Sequence, residues 1–379
     1  MKYLTCDLRA LKRLEQGSVN MKTAIVLGTR PEIIKFSPII RECTRLGQDF
    51  FILHTGQHYS YNMDKVFFEQ LELPEAKHNL DVGSGTHAEQ TGKMLIGIER
   101  VLLKEKPDIV LVEGDTNTVL AGALAAVKLG IKVGHVEAGL RSYDRQMPEE
   151  INRILADHCS DLLFAPTSAS KSTLLSEGIP EDKIFVTGNT IVDAVYQNMD
   201  IAKKKIGQNK ALGVDSCSYF LVTLHRQENV DNAQRFQNIL KGIQMVQEQF
   251  GLPIIYPIHP RAKKMLKKFE LKTKGITMTK PLDYLNFLRL ESNAKLILTD
   301  SGGVQEEACI LRVPCVTLRD NTERPETLKV GANVLAGTDP KTITKKVQMM
   351  LKIKKQWKNP FGNGKAAQRI VKILREKNV

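Results

Sequence analysis

Short apolar runs alternate with segments of helical periodicity along almost the whole chain, a pattern typical of parallel α/β proteins. In the first half the runs predict strands at Ala24–Gly28, Phe51–Thr55, Ile109–Gly114, Val133–Glu137, Leu162–Ala165 and Ile184–Thr187. In the second half they predict strands at Tyr219–Leu224, Ile254–Pro257, Ile276–Thr279, Leu296–Thr299, Cys315–Leu318 and Asn333–Leu335. Continuous apolar runs are expected where helices cover both faces of a sheet. Each half is therefore predicted to be a doubly wound parallel sheet of about six strands.

Helices are predicted in the intervals between these strands. Thr86 is placed to cap a helix that runs to about Leu103, and Glu89 stands at the acidic position of a capping box. Further helices are predicted from Asn117 to near Gly130, from Asp231 to near Phe250 and from Lys365 to Lys377.

The length of 379 residues favours two domains. We assign 21–190 together with 364–379 to an N-terminal Rossmann-like domain, and 191–363 to a C-terminal one. Residues 1–20 fit neither pattern, and Met21-Lys22 immediately precedes the first strand. The first twenty residues are therefore interpreted as an appendage, or as the result of a start codon placed too early.

The composition, with 42% apolar and 26% charged residues, is that of a soluble globular protein. The longest apolar run, Val119–Val127, is too short to span a bilayer, and the first twenty residues lack the apolar core of a signal peptide. We therefore expect a cytoplasmic protein without a membrane partner. The six cysteines are spaced without a CxxC pair, which favours reduced core residues over a zinc site.

The net charge of +13 has two interpretations, nucleic-acid binding or a lysine-rich surface around a small-anion site. The lysines cluster in late helical segments such as Lys263-Lys264, Lys267-Lys268 and Lys345-Lys346. Few aromatic residues lie among them, so a surface on which bases stack is not expected. The pattern favours the small anion and no nucleic-acid partner.

Charged residues follow the predicted strands, at the edge of the sheet where open parallel sheets bind ligands. In the first half these segments are Gly28-Thr29-Arg30-Pro31-Glu32 with Lys35, Glu113-Gly114-Asp115-Thr116-Asn117, Glu137-Ala138-Gly139-Leu140-Arg141 and Pro148-Glu149-Glu150-Ile151-Asn152-Arg153. In the second half they are His225-Arg226-Gln227-Glu228-Asn229, His259-Pro260-Arg261, Asp300 to Glu307 and Arg319 to Glu326. Plain turns would be rich in Gly, Asn, Pro and Ser. The repeated Arg, His and paired carboxylates predict a functional cleft instead.

Asp300-Ser301-Gly302-Gly303 precedes a helix predicted at Val304–Ile310. Glycines let a phosphate approach the backbone, and the N–H groups of a helix N-terminus bind anions. The alternative is an ordinary glycine turn with Ser301 as helix cap. Glu307, one turn into the helix, favours a nucleotide site, because a carboxylate near a bound phosphate commonly holds ribose hydroxyls.

Motifs for the common cofactors are not present. The loop after the first strand is Gly28-Thr29-Arg30-Pro31 rather than GxGxxG, and Gly92-Lys93 lacks the upstream glycine of a P-loop. His54 and His58 lie in a strand-to-loop segment rather than on one helix face, which favours a polar rim over a metal site. We predict neither a cofactor nor a metal.

Four motifs together resemble the UDP-N-acetylglucosamine 2-epimerases: Gly28-Thr29-Arg30-Pro31-Glu32, Gly134-His135-Val136-Glu137-Ala138-Gly139-Leu140-Arg141, Asp300-Ser301-Gly302-Gly303 and Glu323-Arg324-Pro325-Glu326. The resemblance extends from Lys22 to the final helix. It implies a GT-B fold, in which two Rossmann-like domains face a central cleft, and a homodimer. It also implies reversible epimerisation of UDP-N-acetylglucosamine to UDP-N-acetylmannosamine at carbon-2.

The resemblance also implies residue roles. The catalytic residues would be Asp115, Glu137, Glu149 and His225, the histidine lying beside the diphosphate. The substrate-binding residues would be Arg30, Lys35, Arg153, Leu282, Phe287, Ser301, Gly302, Gly303, Glu307 and Arg324. Relatives commonly carry glutamine where Leu282 stands, so contact there would be through the backbone. Gln57 and His58 fit the region where some bacterial members bind a second, activating UDP-N-acetylglucosamine.

Several of these residues have a structural alternative. Glu32 and Glu326 fit helix-start charges, Arg141 and Arg226 fit structural ion pairs, Glu150 and Asn152 fit solvated helix positions, and Phe287 fits the core. Asp115 and Glu137 follow buried strands, where an unpaired carboxylate is costly. For these two the functional interpretation is favoured.

The hydrogen on sugar carbon-2 is not activated by a carbonyl, so we expect UDP to leave carbon-1 while a carboxylate removes that proton. Return of UDP and of a proton to the opposite face of the 2-acetamidoglucal intermediate would complete the epimerisation. The sequence leaves open which of Asp115, Glu137 and Glu149 is the base. It also leaves open a hydrolysing epimerase that releases N-acetylmannosamine and UDP, and a GT-B glycosyltransferase.

Overall fold

Two compact units make up the chain in the computed structural model, which describes residues 21–57, 61–206 and 218–377. The first unit ends at Thr190 and is completed by the residues from Lys365 onward, and the second comprises Ile191–Gly364. The proposed appendage at 1–20 and the side chain of His58 lie outside the described residues.

The described part of the first unit contains a seven-stranded parallel sheet in the order β3-β2-β1-β4-β5-β6-β7. Its strands are β1 (Thr23–Leu27), β2 (Phe50–His54), β3 (His78–Asn79), β4 (Ile109–Glu113), β5 (Lys132–Val136), β6 (Leu162–Ala165) and β7 (Ile184–Val186). Its helices are α1 (Arg30–Arg45), α2 (Tyr61–Gln70), α3 (His87–Glu105), α4 (Asn117–Lys128), α5 (Pro148–Cys159) and α6 (Ser168–Ser176), followed by α7 (Thr190–Ile206), which crosses the boundary between the units.

The second unit contains a parallel sheet in the order β10-β9-β8-β11-β12-β13, six strands among the residues described. The strands are β8 (Phe220–Thr223), β9 (Ile254–Pro257), β10 (Ile276–Thr279), β11 (Leu296–Thr299), β12 (Cys315–Thr317) and β13 (Asn333–Leu335). The helices are α8 (Gln227–Val230), α9 (Ala233–Phe250), α10 (Pro260–Lys268), α11 (Tyr284–Ser292), α12 (Gly302–Ile310), α13 (Pro325–Lys329) and α14 (Pro340–Met350), and α15 (Ala366–Glu376) returns to the first unit and packs on α1.

The predicted fold class, two doubly wound parallel sheets, is confirmed. The twelve predicted strands agree with the structure within one residue at either end. The two-residue strand β3 was not predicted, because His78–Asn79 has no apolar run. The sheet order reverses between β1 and β4 in the first unit and between β8 and β11 in the second, so loops on either side diverge there and leave a crevice.

Helix caps explain most of the agreement between the predicted and the observed helix starts. Thr86 and Glu89 form the expected capping box at the start of α3. The start of α9 was predicted at Asp231, but the helix begins at Ala233, because the side chain of Asn232 accepts the N–H of Arg235. Asp231 instead binds the guanidinium of Arg261.

Apolar clusters lie on the faces of both sheets. Val26, Leu53 and Val110 belong to a buried cluster of the first unit, and Phe220, Val222 and Leu298 belong to one of the second. Of the cysteines in the described residues, Cys43, Cys309 and Cys315 are free and buried, and Cys159 is free and half-buried. The expectation of reduced core cysteines holds for the three that are buried.

Candidate functional site

The loop between β1 and α1 is held by a carboxylate. Glu32 Oε2 accepts the N–H groups of Gly28 and Thr29, each at 2.7 Å, and Glu32 Oε1 accepts the hydroxyl of Thr116 at 2.5 Å. Burial raises the pKa of Glu32, and these hydrogen bonds offset part of the rise. The N–H groups that immediately precede α1 are therefore satisfied by the protein itself, which supports the interpretation of Glu32 as a helix-start charge.

Lys35 lies between two carboxylates at the switch point of the first sheet. Its Nζ is 3.2 Å from Glu113 Oε1 and forms a close ion pair with Glu137 Oε2. The side chains of Glu113 and Glu137 are 1% and 4% exposed, so water screens this cluster little. Burial raises the pKa of Glu113 well above its ordinary value; Lys35 opposes the rise and Glu137 adds to it.

Glu137 has a left-handed backbone, with φ of 70°. Few non-glycine residues adopt this conformation, and it occurs preferentially where function constrains the chain. The N–H groups of Glu137 and Ala138 both bind the carbonyl of Phe164, which holds the turn. The chain thus directs the Glu137 side chain toward Lys35.

Asp115 and Arg153 form a second ion pair in this unit. Asp115 Oδ2 lies 3.1 Å from Nε and 2.6 Å from Nη2 of Arg153, whose Nη1 reaches Glu150 Oε2 at 2.5 Å. Asn152 donates to the carbonyl of Asp115. The solvated alternative for Glu150 and Asn152 was wrong, since both are buried, at 1% and 5% exposure.

Glu150 and Glu149, adjacent in sequence, differ in environment. Burial favours neutral Glu150, but N–H groups of Ser142 and Tyr143, the Ser142 hydroxyl and Arg153 more than offset this and lower its pKa. Glu149 is exposed at the start of α5, and none of the described residues forms a hydrogen bond or ion pair with its carboxylate. Glu150 therefore has a structural role, and the Glu149 side chain is free to meet a ligand.

Arg141, which sequence reasoning left open, belongs to a structural network. Its guanidinium lies 2.7 Å from Asp157 and 2.6 Å from Glu177. Asp157 also accepts from His135 Nδ1 at 2.7 Å, and His135 Nε2 is 2.9 Å from the carbonyl of Gly114. Burial opposes charge on His135, but Asp157 more than compensates, so the pKa of His135 is raised. The network fixes the loop after β4.

Arg30 stands at the start of α1 with its side chain 40% exposed. Its guanidinium lies 3.5 Å from Asp64 and 5.8 Å from the ring centre of Phe67. Gln57 is buried and accepts from the N–H and hydroxyl of Thr118. Its amide oxygen is therefore engaged within the unit.

In the second unit, α12 begins at Gly302, two residues before the predicted start. Gln305 N–H to Ser301 O is the first bond of its ladder, and the Ser301 side chain makes no capping bond. A Cβ on Gly302 or Gly303 would meet no heavy atom closer than 3.8 Å. The backbone of this first turn is open to a ligand, which is the geometry of an anion site.

Asp300 connects this helix to the loop after β8. It is fully buried and accepts from the N–H groups of His225 and Arg226 and from Asn229. Burial opposes its ionisation, but these donors and the His225 ring, 3.1 Å away, lower the pKa of Asp300. His225 is 41% exposed and is thereby oriented beside the start of α12.

Two arginines follow β12. Arg324 Nε lies 2.8 Å from Glu306 on α12, with 15% of the arginine side chain exposed. Arg319 binds Glu323 through two nitrogens, at 2.8 and 2.9 Å. Burial opposes charge on Glu323, but Arg319 more than compensates and lowers its pKa to about 2. Arg226, left open by the sequence, lies 3.8 Å from Glu323.

Glu307 faces α11, where Tyr284 donates its hydroxyl to Oε1 at 2.9 Å. Beneath it, burial and the charge of Glu307 raise the pKa of the fully buried Glu291 well above its ordinary value. Leu282 and Phe287 are half-buried against the adjacent apolar cluster. Phe287 therefore packs partly in the core, as its structural alternative predicted, and part of its side chain stays exposed.

Sequence reasoning did not select Glu113, Asp157, Tyr284 or Glu291 as site residues. Glu113 has a detectable signal, because it is a carboxylate at the end of an otherwise apolar strand. The other three lie within helices whose polar positions do not distinguish buried from solvated residues. Only the packing of α5 and α11 places them.

Two further features of the described residues concern metal binding and membrane-spanning helices. Among the described residues, no group of three or more His, Cys, Asp and Glu side chains is arranged to hold a metal ion. His54 is buried, 3.3 Å from Asp64 and 3.3 Å from Asn79. No helix in the described ranges is long and apolar enough to cross a membrane.

Comparison with known proteins agrees with this arrangement. The family model for UDP-N-acetylglucosamine 2-epimerase matches residues 41–375. The chain belongs to the UDP-N-acetylglucosamine 2-epimerase family. The UDP-N-acetylglucosamine 2-epimerase of Methanocaldococcus jannaschii is 62% identical over 362 residues, covering 93% of this chain and 99% of that protein.

Solved structures of this family are similar to the chain. The M. jannaschii UDP-GlcNAc 2-epimerase in complex with UDP-GlcNAc and UDP gives a TM-score of 0.86 at 62% identity, over 94% of this chain and 100% of that one. The Neisseria meningitidis enzyme bound to UDP-GlcNAc gives 0.85 at 35% identity, with the same coverage. The fold is of the GT-B type, as predicted.

Proposed function

We propose that this chain interconverts UDP-N-acetylglucosamine and UDP-N-acetylmannosamine at sugar carbon-2. Family membership and the 62% identical M. jannaschii enzyme support the activity and the substrate. The homodimer and the cytoplasmic location are proposed with it, and light scattering of the purified protein tests the dimer.

A difference between two helix N-termini supports the assignment of UDP binding to one unit and of the sugar chemistry to the other. At the switch point of the first unit, the Glu32 carboxylate occupies the N–H groups of Gly28 and Thr29 immediately before α1. In the second unit, α12 begins with two glycines and no side-chain cap. Since a diphosphate needs free N–H groups, the second unit binds UDP and the first acts on the sugar.

In the second unit the N–H groups of Gly302 and Gly303 hold the diphosphate together with the Ser301 hydroxyl, because the Ser301 N–H is itself donated to Thr299 Oγ1. His225, oriented by Asp300, and Arg324 neutralise the charge that develops as UDP leaves carbon-1. Glu307 accepts the ribose hydroxyls and Phe287 packs on uracil, with the backbone of Leu282 beside the base. These contacts matter more for the leaving group than for the intact substrate, which is what accelerates the step.

In the first unit Asp115, Glu137 and Glu149 supply the acid and the base. Lys35 and Arg153 compensate carboxylate charge there, and Arg30 meets the substrate from the start of α1. One carboxylate removes the carbon-2 proton as UDP departs, giving 2-acetamidoglucal. A second delivers a proton to the opposite face of carbon-2 as UDP returns, so no net proton or UDP is consumed.

Incubation with UDP-N-acetylglucosamine alone in deuterated water, followed by NMR, tests the function. We expect deuterium at carbon-2 and an equilibrium mixture of the two UDP-sugars. Accumulation of UDP with free N-acetylmannosamine would assign the chain to hydrolysing epimerases. Unchanged substrate, with sugar transfer only after an acceptor is added, would assign it to glycosyltransferases.

A further inference from the structure

Glu113 is the last residue of β4 and lies beside the start of the Glu137 loop. In the parallel register Glu113 is opposite Val136 of β5, so Glu137 is the next residue along the neighbouring strand. Adjacent parallel strands therefore carry two carboxylates to the same edge of the sheet. Lys35 reaches both from α1.

The charges in this cluster do not balance if every group is ionised. Lys35 and Glu32 face Glu113 from α1, and Glu137 faces it from the end of β5. Glu32 is engaged by Gly28, Thr29 and Thr116. His135, on which the charge of Glu137 also acts, is paired with Asp157. Among the described residues, Lys35 is therefore the cation in ion-pair contact with both Glu113 and Glu137. Two buried carboxylates in contact do not both ionise near neutral pH. The pair therefore retains one proton.

We propose that Glu113 is a positioning residue that stores one proton beside Glu137, so that Glu137 exchanges a proton with the sugar without drawing on solvent. The inference rests on the proposed function and on Glu137 acting at carbon-2. The proton passes from Glu113 Oε to Glu137 Oε, one O–H bond breaking as the other forms. Lys35 stays protonated and compensates whichever carboxylate is ionised.

A glutamine at position 113 keeps the size and hydrogen-bonding groups of the side chain but stores no proton. In E113Q the proton must reside on Glu137 alone, beside Lys35 and without a second carboxylate. The pKa of Glu137 then falls, and the protonated form is lost at lower pH. Activity that needs this proton should decline at lower pH than in the wild-type enzyme.

The test compares kcat and KM from pH 6 to 10 for the wild-type enzyme, E113Q and the control E42Q, whose carboxylate binds Arg45 in the last turn of α1. We expect E113Q to lose roughly 10-fold or more in kcat near neutral pH, with KM within about twofold. Its basic limb should lie more than about one pH unit below that of the wild type. E42Q should match the wild type throughout.

Two results overturn the proposal: unchanged kcat, or a loss by the same factor at every pH, as a purely structural role would give. If E113Q does not fold, E113D, which keeps a proton on a shorter stem, replaces it. Its kcat should fall while its basic limb stays at the wild-type pH, and a displaced limb would overturn the proposal. If the wild-type enzyme neither epimerises the substrate nor exchanges carbon-2, the proposed function itself has failed.

Discussion

Asp115 is two residues from Glu113 but lies in a different environment. About a third of its side chain is exposed, at 32%, and Arg153 binds one of its oxygens through two nitrogens. An asparagine there would keep the shape and one hydrogen bond to Arg153. It could neither accept nor donate the proton that the mechanism needs.

Asp115→Asn is therefore expected to lower turnover by roughly 100-fold or more, the usual scale for loss of an acid or base group. UDP affinity should stay within about threefold of the wild type, because the diphosphate is assigned to the other unit. Steady-state kinetics and UDP titration measure both. Asp182→Asn, on an exposed turn, is the control, and near-normal turnover of Asp115→Asn would remove Asp115 from the mechanism.

The residue types along the chain predicted many of the individual side chains that lie in the candidate site. Charged residues after apolar strands indicated the cluster that contains Lys35 and Glu137, and the structure brings those two together. Only the family resemblance selected Glu149 over Glu150, because adjacent helical carboxylates are alike in residue type. Burial and the N–H groups of Ser142 and Tyr143 distinguish them.

At the scale of the secondary-structure element, helix α12 is proposed to bind the phosphates through the free N–H groups of its first turn. A carboxylate placed there would satisfy those groups and repel a phosphate. Gly302 accepts a side chain without a close contact, since its added Cβ would lie 3.8 Å from Glu323 Oε2. The substitution thus changes the charge of the site with little steric effect.

Gly302→Asp is expected to weaken UDP binding by roughly 10-fold or more, in line with a loss of one or two charge-assisted hydrogen bonds. Calorimetric titration with UDP measures the change. Gly92→Asp on the exposed face of α3, where a Cβ meets nothing within 4 Å, is the matched control. Equal UDP affinity in both variants would discredit α12 as the phosphate site.

At the scale of the whole molecule, the chain contains one tryptophan, and it reports on the second unit. Trp357 is buried, with 8% exposure, and donates its ring N–H to the carbonyl of Cys309 near the end of α12. Its fluorescence therefore follows unfolding of the unit that is proposed to bind UDP.

UDP at about 100 times its Kd should stabilise the folded state by about 2.7 kcal/mol. For a unit of this size that corresponds to a rise of roughly 5–10 °C in the fluorescence-detected Tm. Uridine, which lacks the diphosphate, is the control and should give a smaller rise. Equal shifts with uridine and UDP would mean that the diphosphate is not what the site recognises.

The amino-acid sequence by itself determined the strands, the fold class and the glycine-containing loops before α1 and α12, because continuous apolar runs, glycines and caps are local signals. The two helix N-termini also differ for local reasons, because Glu32 folds back on Gly28 and Thr29, whereas Ser301 makes no capping bond. Tertiary structure decided how Glu32 is held: its second oxygen accepts the hydroxyl of Thr116, which lies 84 residues away along the chain. It also decided that Glu113 meets Glu137, because register and burial depend on strands that are distant in the chain.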